Sequence, residues 1–103
     1  SDINITFIEP YEIKSYVEGD CFSSHNDTIV SPDYSVERKV NVTVQLCEDD
    51  EYEGGDLLIG NHKCPREFGT AIFFPAHVIH SVTKVTRGTR YSLIGHAWGP
   101  YNP

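Results

Sequence analysis

The stretch FFPAHVIHSVTKVTRGTR, residues 73–90, decides how this chain is read. It holds an apolar strand entry, His80 in a β-rich run, a turn containing Gly88, and Arg90 at the start of a second β-rich run. Two β-rich runs joined by a short glycine-containing turn predict a hairpin. We therefore expect His80 and Arg90 to lie on neighbouring strands.

A second stretch, His25-Asn26-Asp27, carries two potential metal ligands two residues apart. Residues i and i+2 of a strand share a face, so His25 and Asp27 are predicted to point the same way. His80, on a distant strand, would be the third ligand. Two imidazoles and one carboxylate form the facial triad that holds a non-haem Fe(II) and leaves coordination positions open.

The other three histidines are weaker candidates for the third ligand. His77 directly follows a Pro-Ala break and stands farther than His80 from the run that Arg90 opens. His62 falls in a polar loop, and His96 lies near the end of the last β-rich run. The predicted triad is therefore His25, Asp27 and His80.

Arg90 opens an alternating segment, in which one face is formed by Arg90, Ser92, Ile94 and His96. A guanidinium that points into a barrel is costly unless it meets an anion. That anion is either a protein carboxylate, such as Asp56, or a ligand carboxylate held by the guanidinium fork. Fe(II) with two neutral imidazoles and one carboxylate keeps one positive charge, and Arg90 adds another. A 2-oxoacid dicarboxylate would neutralise both.

Composition narrows the class of protein. The chain has 103 residues, 39% of them hydrophobic, which predicts one small domain spanning residues 1–103. No apolar run reaches membrane-spanning length, and no signal peptide is recognisable, so a cytoplasmic protein without a membrane partner is expected. The net charge is −7, and the sequence lacks the clustered basic residues of a nucleic-acid-binding surface, so a nucleic-acid partner is not expected. The three cysteines form no CxxC pair and are expected to be reduced thiols.

Hydrophobic periodicity predicts an all-β fold. The clearest alternation runs from Val40 to Cys47, with apolar residues at every second position. About eight such short runs, separated by turn residues, favour a sandwich, jelly roll or barrel with few or no helices. Residues 28–37 read as a loop that could cover a site, residues 60–68 as a polar loop, and residues 99–103 as a tail.

Seven motifs in order along the chain resemble the 2-oxoglutarate- and Fe(II)-dependent dioxygenases of the prolyl 4-hydroxylase type, including bacterial and phage members. They are Tyr16-x-x-Gly19, Phe22-x-x-His25-x-Asp27, Arg38 before a strand, Tyr52-Glu-Gly-Gly-Asp-Leu57, Gly69-Thr-Ala-Ile-Phe73, His80-Ser-Val-Thr-Lys-Val85 and Gly88-Thr-Arg-Tyr91. The resemblance covers the chain from about Tyr16 to Trp98.

The resemblance implies a double-stranded β-helix, or jelly roll, with His25, Asp27 and His80 holding iron at its open end. It also implies that Arg90 binds the distal carboxylate of 2-oxoglutarate. Four further residues belong to the implied co-substrate pocket: Tyr16, Gln45, Leu57 and Val82. Gln45 stands where some relatives have a tyrosine, and His96 where many have a tryptophan.

The implied reaction is oxidative decarboxylation of 2-oxoglutarate to succinate, coupled by O2 to hydroxylation of a peptidyl residue, with proline favoured by analogy. Ascorbate commonly supports such enzymes. A small-molecule substrate, a cupin-like binding module without turnover, and a catalytically silent interaction domain are the alternatives. Relatives usually carry helices ahead of the core, so this chain is either a minimal core or a core without those helices.

Overall fold

The computed structural model describes residues 3–102, whose regular secondary structure is entirely β-strand. This part of the chain contains no helix, and so none that could cross a membrane. The strands are β1 (Phe7–Ile8), β2 (Glu12–Tyr16), β3 (Phe22–His25), β4 (Val36–Gln45), β5 (Tyr52–Gly54), β6 (Leu57–Ile59), β7 (His62–Lys63), β8 (Ala71–Pro75), β9 (His80–Val82), β10 (Val85–Gly88) and β11 (Arg90–Pro100). The predicted all-β class is confirmed.

Two antiparallel sheets build the jelly-roll core. The larger runs in the order β1-β11-β4-β8, and β2 joins it by pairing with the first half of β11. The smaller runs in the order β3-β9-β6-β7, and β10 pairs separately with β5. The long strands β4 and β11 lie side by side at the centre of the larger sheet. Their inward-facing side chains therefore project from the centre of the larger sheet.

The alternation of β4 is inverted relative to an ordinary half-buried strand. Its polar residues Asn41, Thr43 and Gln45 are buried, with exposed fractions of 2, 5 and 4%. The valines between them, Val42 and Val44, are only half-buried and belong to the outer face. The inner face of β4 is thus polar, which is unusual for a plain hydrophobic core.

An apolar cluster in the core contains Tyr16, Leu57, Cys64, Val82 and Val85. The opposite, outer face of the larger sheet is also apolar, because Ile13 and Phe73 are each 69% exposed there. The three cysteines are free, as predicted.

The hairpin predicted around Gly88 is wrong. Strand β9 pairs with β3 and β6, β10 pairs with β5, and β11 pairs with β1, β2 and β4. Gly88 instead carries the chain from one sheet to another, with φ of +74° and its backbone against the carbonyl of Glu51. Its turn signal is real, but the runs on either side belong to different sheets.

Three segments that the sequence predicts to be irregular contain β-strand residues in the structure. Residues 28–37 form a turn closed by a bridge between Val30 and Glu37, and β4 already begins at Val36. The polar loop includes β7, and β11 continues through Gly99 to Pro100. The predicted tail ends at Pro103, which lies outside the described residues.

Candidate active site

His25 and His80 face each other across the pair of strands β3 and β9. The two residues are direct cross-strand partners, and their ring centroids are 4.2 Å apart. Asp27 completes the cluster, with Oδ1 3.5 Å from Nε2 of His25 and Oδ2 3.2 Å from Nε2 of His80. One potential ligand atom from each residue lies within 4.8 Å of the others. The structure therefore brings together the three side chains that the sequence singles out.

Asp27 does not reach this position by strand alternation. Strand β3 ends at His25, and Asp27 follows in a turn in which Asn26 Oδ1 accepts a hydrogen bond from the backbone N–H of Thr28. The backbone N–H of Asp27 donates to the carbonyl of Ala76, 2.9 Å away. The expectation that His25 and Asp27 share a strand face is thus wrong in its reason, although the side chains do meet.

Both imidazoles of the cluster are anchored through Nδ1. The Nδ1 of His25 lies 2.7 Å from the carbonyl of Ser23, and that of His80 lies 3.0 Å from the carbonyl of Val78. A carbonyl only accepts, so each Nδ1 carries the proton. In the neutral rings each Nε2 then has its lone pair toward Asp27, the tautomer that a metal-binding histidine needs, whereas a hydrogen bond from His80 to Asp27 requires a second proton, on Nε2 of His80.

Aromatic neighbours fix the planes of the two rings. The ring of Phe22 stacks on that of His25 at 3.9 Å between centroids. Phe74 meets His80 edge-on at 4.8 Å. Both imidazoles are therefore held in place by packing on one side and by a backbone carbonyl on the other.

The charge distribution of the cluster favours binding of a cation. Burial alone would raise the pKa of Asp27, but its hydrogen bond with His80 and the nearby histidines lower that pKa overall. Burial opposes protonation of His80, yet Asp27 and the Val78 carbonyl raise the pKa of His80 above its usual value. A carboxylate and two Nε2 lone pairs at these distances repel one another unless a proton or a metal ion lies between them.

Arg90 is a buried guanidinium that pairs with no carboxylate of residues 3–102. It is 2% exposed, its Nη1 donates to Ser92 Oγ at 3.3 Å, and its Cζ lies 5.3 Å from the centroid of the Tyr16 ring. Within residues 3–102 its Nε has no hydrogen-bond partner. Asp56, the protein carboxylate considered from the sequence, is instead paired with Arg66 at 2.9 Å. The guanidinium is therefore available to an anionic ligand.

The triad and Arg90 line one cavity of about 200 Å³. Tyr16, Leu57 and Val82 also contribute to its wall, as do Glu12 and Lys14 from β2 and Asn41 and His96 from the two central strands. The faces predicted for β11 are the observed ones, since Arg90, Ile94 and His96 all line the cavity. His77 is exposed in the turn before β9, and His62 is exposed on β7.

Gln45 does not line this cavity, although the family resemblance places it in the co-substrate pocket. Its amide Nε2 lies 2.8 Å from the Tyr52 hydroxyl and 3.3 Å from the Arg66 carbonyl, to which it donates. The residue shares the inner face of β4 with Asn41 and Thr43, but it lies beyond the end of the cavity, opposite Ser92. Its amide instead links Tyr52, the first residue of β5, to Arg66 in the segment after β7.

Comparison of the sequence with known protein families and with curated proteins identifies the family of the chain. The family model of the 2OG-Fe(II) oxygenase superfamily matches residues 11–98. This chain belongs to that superfamily. It is 36% identical over 91 residues to a PKHD-type hydroxylase of Delftia acidovorans, a match that covers 81% of this chain and 40% of the relative. The chain thus spans about 40% of the length of the curated relatives that it matches.

Solved structures of prolyl hydroxylases share the fold. A prolyl-4-hydroxylase of Pseudomonas putida superposes with a TM-score of 0.70 at 22% identity, covering 91% of this chain and 54% of the other. The viral collagen prolyl hydroxylase of Paramecium Bursaria Chlorella virus-1, solved as a 2OG complex, gives a TM-score of 0.71 at 18% identity, covering 89% and 59%. The double-stranded β-helix expected from the sequence is confirmed.

The side chains present fit the Fe(II) and 2-oxoglutarate that the superfamily name implies. The donor set is two Nε2 atoms and one carboxylate, which suits a divalent iron with open positions. The orphaned Nε of Arg90 suits a dicarboxylate. The sequence pointed to these residues but missed Asn41, because a buried asparagine in an alternating strand carries no motif.

Proposed function

We propose that this chain is the catalytic core of a 2-oxoglutarate- and Fe(II)-dependent dioxygenase that hydroxylates a peptidyl residue, with proline as the favoured target. The observation that carries the proposal is the shared cavity, in which a His-Asp-His cluster occurs together with a buried guanidinium whose Nε has no hydrogen-bond partner among residues 3–102. The names of the related hydroxylases support the reaction class, and the prolyl hydroxylases among the structural neighbours support the choice of proline.

His25, Asp27 and His80 would hold the iron. When bound with 2-oxoglutarate and O2, the iron supplies the oxidising chemistry that converts 2-oxoglutarate to succinate and carbon dioxide and hydroxylates a C–H bond of the substrate. By accepting from Nδ1, the Ser23 and Val78 carbonyls would leave the Nε2 lone pair of each neutral ring free for the metal. Three protein ligands leave the remaining positions for the co-substrate and oxygen.

Arg90 would bind the distal carboxylate of 2-oxoglutarate. Its burial strengthens such a charge-assisted hydrogen bond, because the surrounding dielectric is low. Tyr16 stacks beside the guanidinium and fixes its plane. Leu57 and Val82 form an apolar part of the wall of the same cavity. The two charges of the dianion offset the charge left on the metal centre and that of Arg90.

The primary substrate would enter from the side of the cavity on which β2 lies. Glu12 and Lys14 line this side with opposite charges, so a segment without net charge, such as a proline-containing peptide, is compatible with it. A free amino acid or another small molecule remains the alternative substrate class. Ascorbate would support turnover by keeping the iron reduced.

The test is anaerobic addition of Fe(II) and 2-oxoglutarate to the purified protein, followed by exposure to oxygen. A visible charge-transfer band that needs both additions, and succinate that accumulates after oxygen is admitted, are expected. A panel of proline-containing peptides analysed by mass spectrometry for a gain of one oxygen atom then addresses the substrate. A folded protein that shows neither the band nor succinate would favour a binding module without turnover.

A further inference from the structure

Asn41 connects the proposed metal site to the centre of the larger sheet. Its Nδ2 lies 2.7 Å from Oδ2 of Asp27, and its Oδ1 lies 2.8 Å from Nδ1 of His96. Asn41 is 2% exposed, and its backbone pairs with His96 on β11 and with Phe74 on β8. Asp27 is thus hydrogen-bonded to a residue whose own strand is paired with a neighbouring strand on either side.

The direction of both hydrogen bonds follows from the chemistry of the carboxylate. Asp27 only accepts, so the amide must turn its Nδ2 toward Asp27. The Oδ1 of Asn41 then faces His96, which must donate from Nδ1. The three residues form a chain in which His96 orients the amide of Asn41, and the amide orients the carboxylate of Asp27.

We propose that Asn41 and His96 are positioning residues that hold the Asp27 carboxylate in its metal-binding orientation. The backbone of Asp27 is fixed by its N–H bond to Ala76, but that bond leaves the rotation of the carboxylate free. Among residues 3–102, the side-chain amide that donates a hydrogen bond to this carboxylate is that of Asn41. This inference rests on the proposed function, because it takes Asp27 as a ligand.

Hydrogen bonds to the ligands of a metal typically change its affinity by roughly 10- to 100-fold when they are removed. Asn41→Ala is therefore expected to weaken binding of Co(II), a redox-stable probe followed by its visible absorption, by roughly that factor. His96→Phe should weaken Co(II) binding less than Asn41→Ala does. In this variant Asn41 keeps its hydrogen bond to Asp27 but loses the bond from His96 that orients its amide. His96→Gln offers an N–H to Asn41 and should restore most of the affinity.

Gln45→Ala is the matched control. It removes a buried amide from the same face of the same strand, four residues along, but that amide serves Tyr52 and Arg66. The free energy of unfolding of each metal-free variant is measured in urea, so that lost folding is separated from lost affinity. Gln45→Ala should lower this free energy while folded protein keeps the Co(II) affinity of the natural sequence.

A second readout does not involve the metal. Long-range ¹⁵N–¹H correlation spectra of the metal-free protein, at a pH where imidazoles are neutral, should show His96 protonated at Nδ1, and this preference should fade in Asn41→Ala. Neutral His96 protonated at Nε2 would overturn the proposed chain of bonds. So would folded Asn41→Ala that binds Co(II) within about twofold of the natural protein.

These outcomes separate the two proposals. If the natural protein binds Co(II) tightly and Asp27→Ala does not, while Asn41→Ala binds normally, the metal site stands and only the positioning role fails. If the natural protein and Asp27→Ala bind Co(II) equally poorly, Asp27 is not a ligand, and both proposals fail. Weakened binding in Asn41→Ala together with the Nδ1 tautomer of His96 supports both.

Discussion

His25 and His80 are paired residue to residue across β3 and β9, which puts two imidazoles 4.2 Å apart from positions 55 residues apart in the chain. The register of one short strand pair therefore supplies two of the three candidate metal ligands. Asp27 joins from the turn that follows β3, fixed to Ala76 and Asn41. The cluster thus depends on contacts from both sheets.

Replacing His80 by alanine should abolish metal-dependent activity. The change removes one of three ligand side chains, so Fe(II) affinity should fall by more than about 100-fold, beyond the usual effect of losing a group that only supports a ligand. The measurement is iron content after equilibration under anaerobic conditions, together with succinate formation. His77→Ala is the matched control, because His77 is exposed in the adjoining turn and outside the cluster. Full iron binding and turnover in His80→Ala would contradict the triad.

Replacing Arg90 by methionine should separate stability from co-substrate binding. A buried guanidinium with an unpaired Nε costs free energy in the metal-free fold, so the unbranched apolar side chain should raise the free energy of unfolding by about 1 kcal/mol or more. With Co(II) present, 2-oxoglutarate should raise the melting temperature of the natural protein by several degrees but leave that of Arg90→Met unchanged.

Arg66→Met is the control for this pair of effects. Arg66 donates to the Asp56 carboxylate and to the backbone carbonyls of Asp49, Tyr52 and Gly54. The same substitution there leaves several acceptors without a partner and should lower the free energy of unfolding by about 3 kcal/mol. Equal stabilisation of the natural protein and Arg90→Met by 2-oxoglutarate would refute the assigned role of Arg90.

The sequence predicted the site better than it predicted the path of the chain. His25, Asp27, His80 and Arg90 were recognisable because their residue types and order match a known chemistry. Pairing was harder, since the runs on either side of Gly88 pair with strands distant in sequence. A local turn signal does not report which strand a run will join.

The inner face of β4 shows a second limit of the sequence. Alternation of valine with polar residues marks a strand, but it does not say that the polar face is the buried one. That depends on partners such as Asp27 for Asn41 and Tyr52 for Gln45, which come from other parts of the chain. The assignment of Gln45 to the co-substrate pocket came from the family resemblance alone, and for this reason the contact of Asn41 with Asp27 was not foreseen.

Gly88→Ala should be far more destabilising than Gly60→Ala, although both glycines have positive φ, +74° and +58°. A Cβ at Gly60 meets nothing within 4 Å, so only the left-handed backbone is penalised, by about 1 kcal/mol. A Cβ at Gly88 would overlap the carbonyl of Glu51, and the loss should be at least about 3 kcal/mol. Urea denaturation of the two variants compares them directly, and similar losses would contradict the contact between β10 and β5.

Glu9 should make stability depend on pH at the edge of the larger sheet. Its carboxylate accepts two hydrogen bonds from Arg38, at 2.7 and 3.1 Å, and one from the indole of Trp98 at 2.6 Å. The bonds from Arg38 and Trp98 lower the pKa of Glu9 below its usual value of 4.5, although burial opposes them.

Because the pKa of Glu9 is lower in the folded state, its ionised form stabilises the fold at pH values above 4.5. That contribution, about 1 kcal/mol for a partly exposed group, should be lost as the pH falls through the folded-state pKa. Trp98 is the only tryptophan, so its fluorescence follows urea unfolding without a label. Glu9→Gln should be less stable than the natural protein at neutral pH, and the difference should shrink in acid. A difference that stays constant from neutral pH to about pH 3 would show that Glu9 does not carry this dependence.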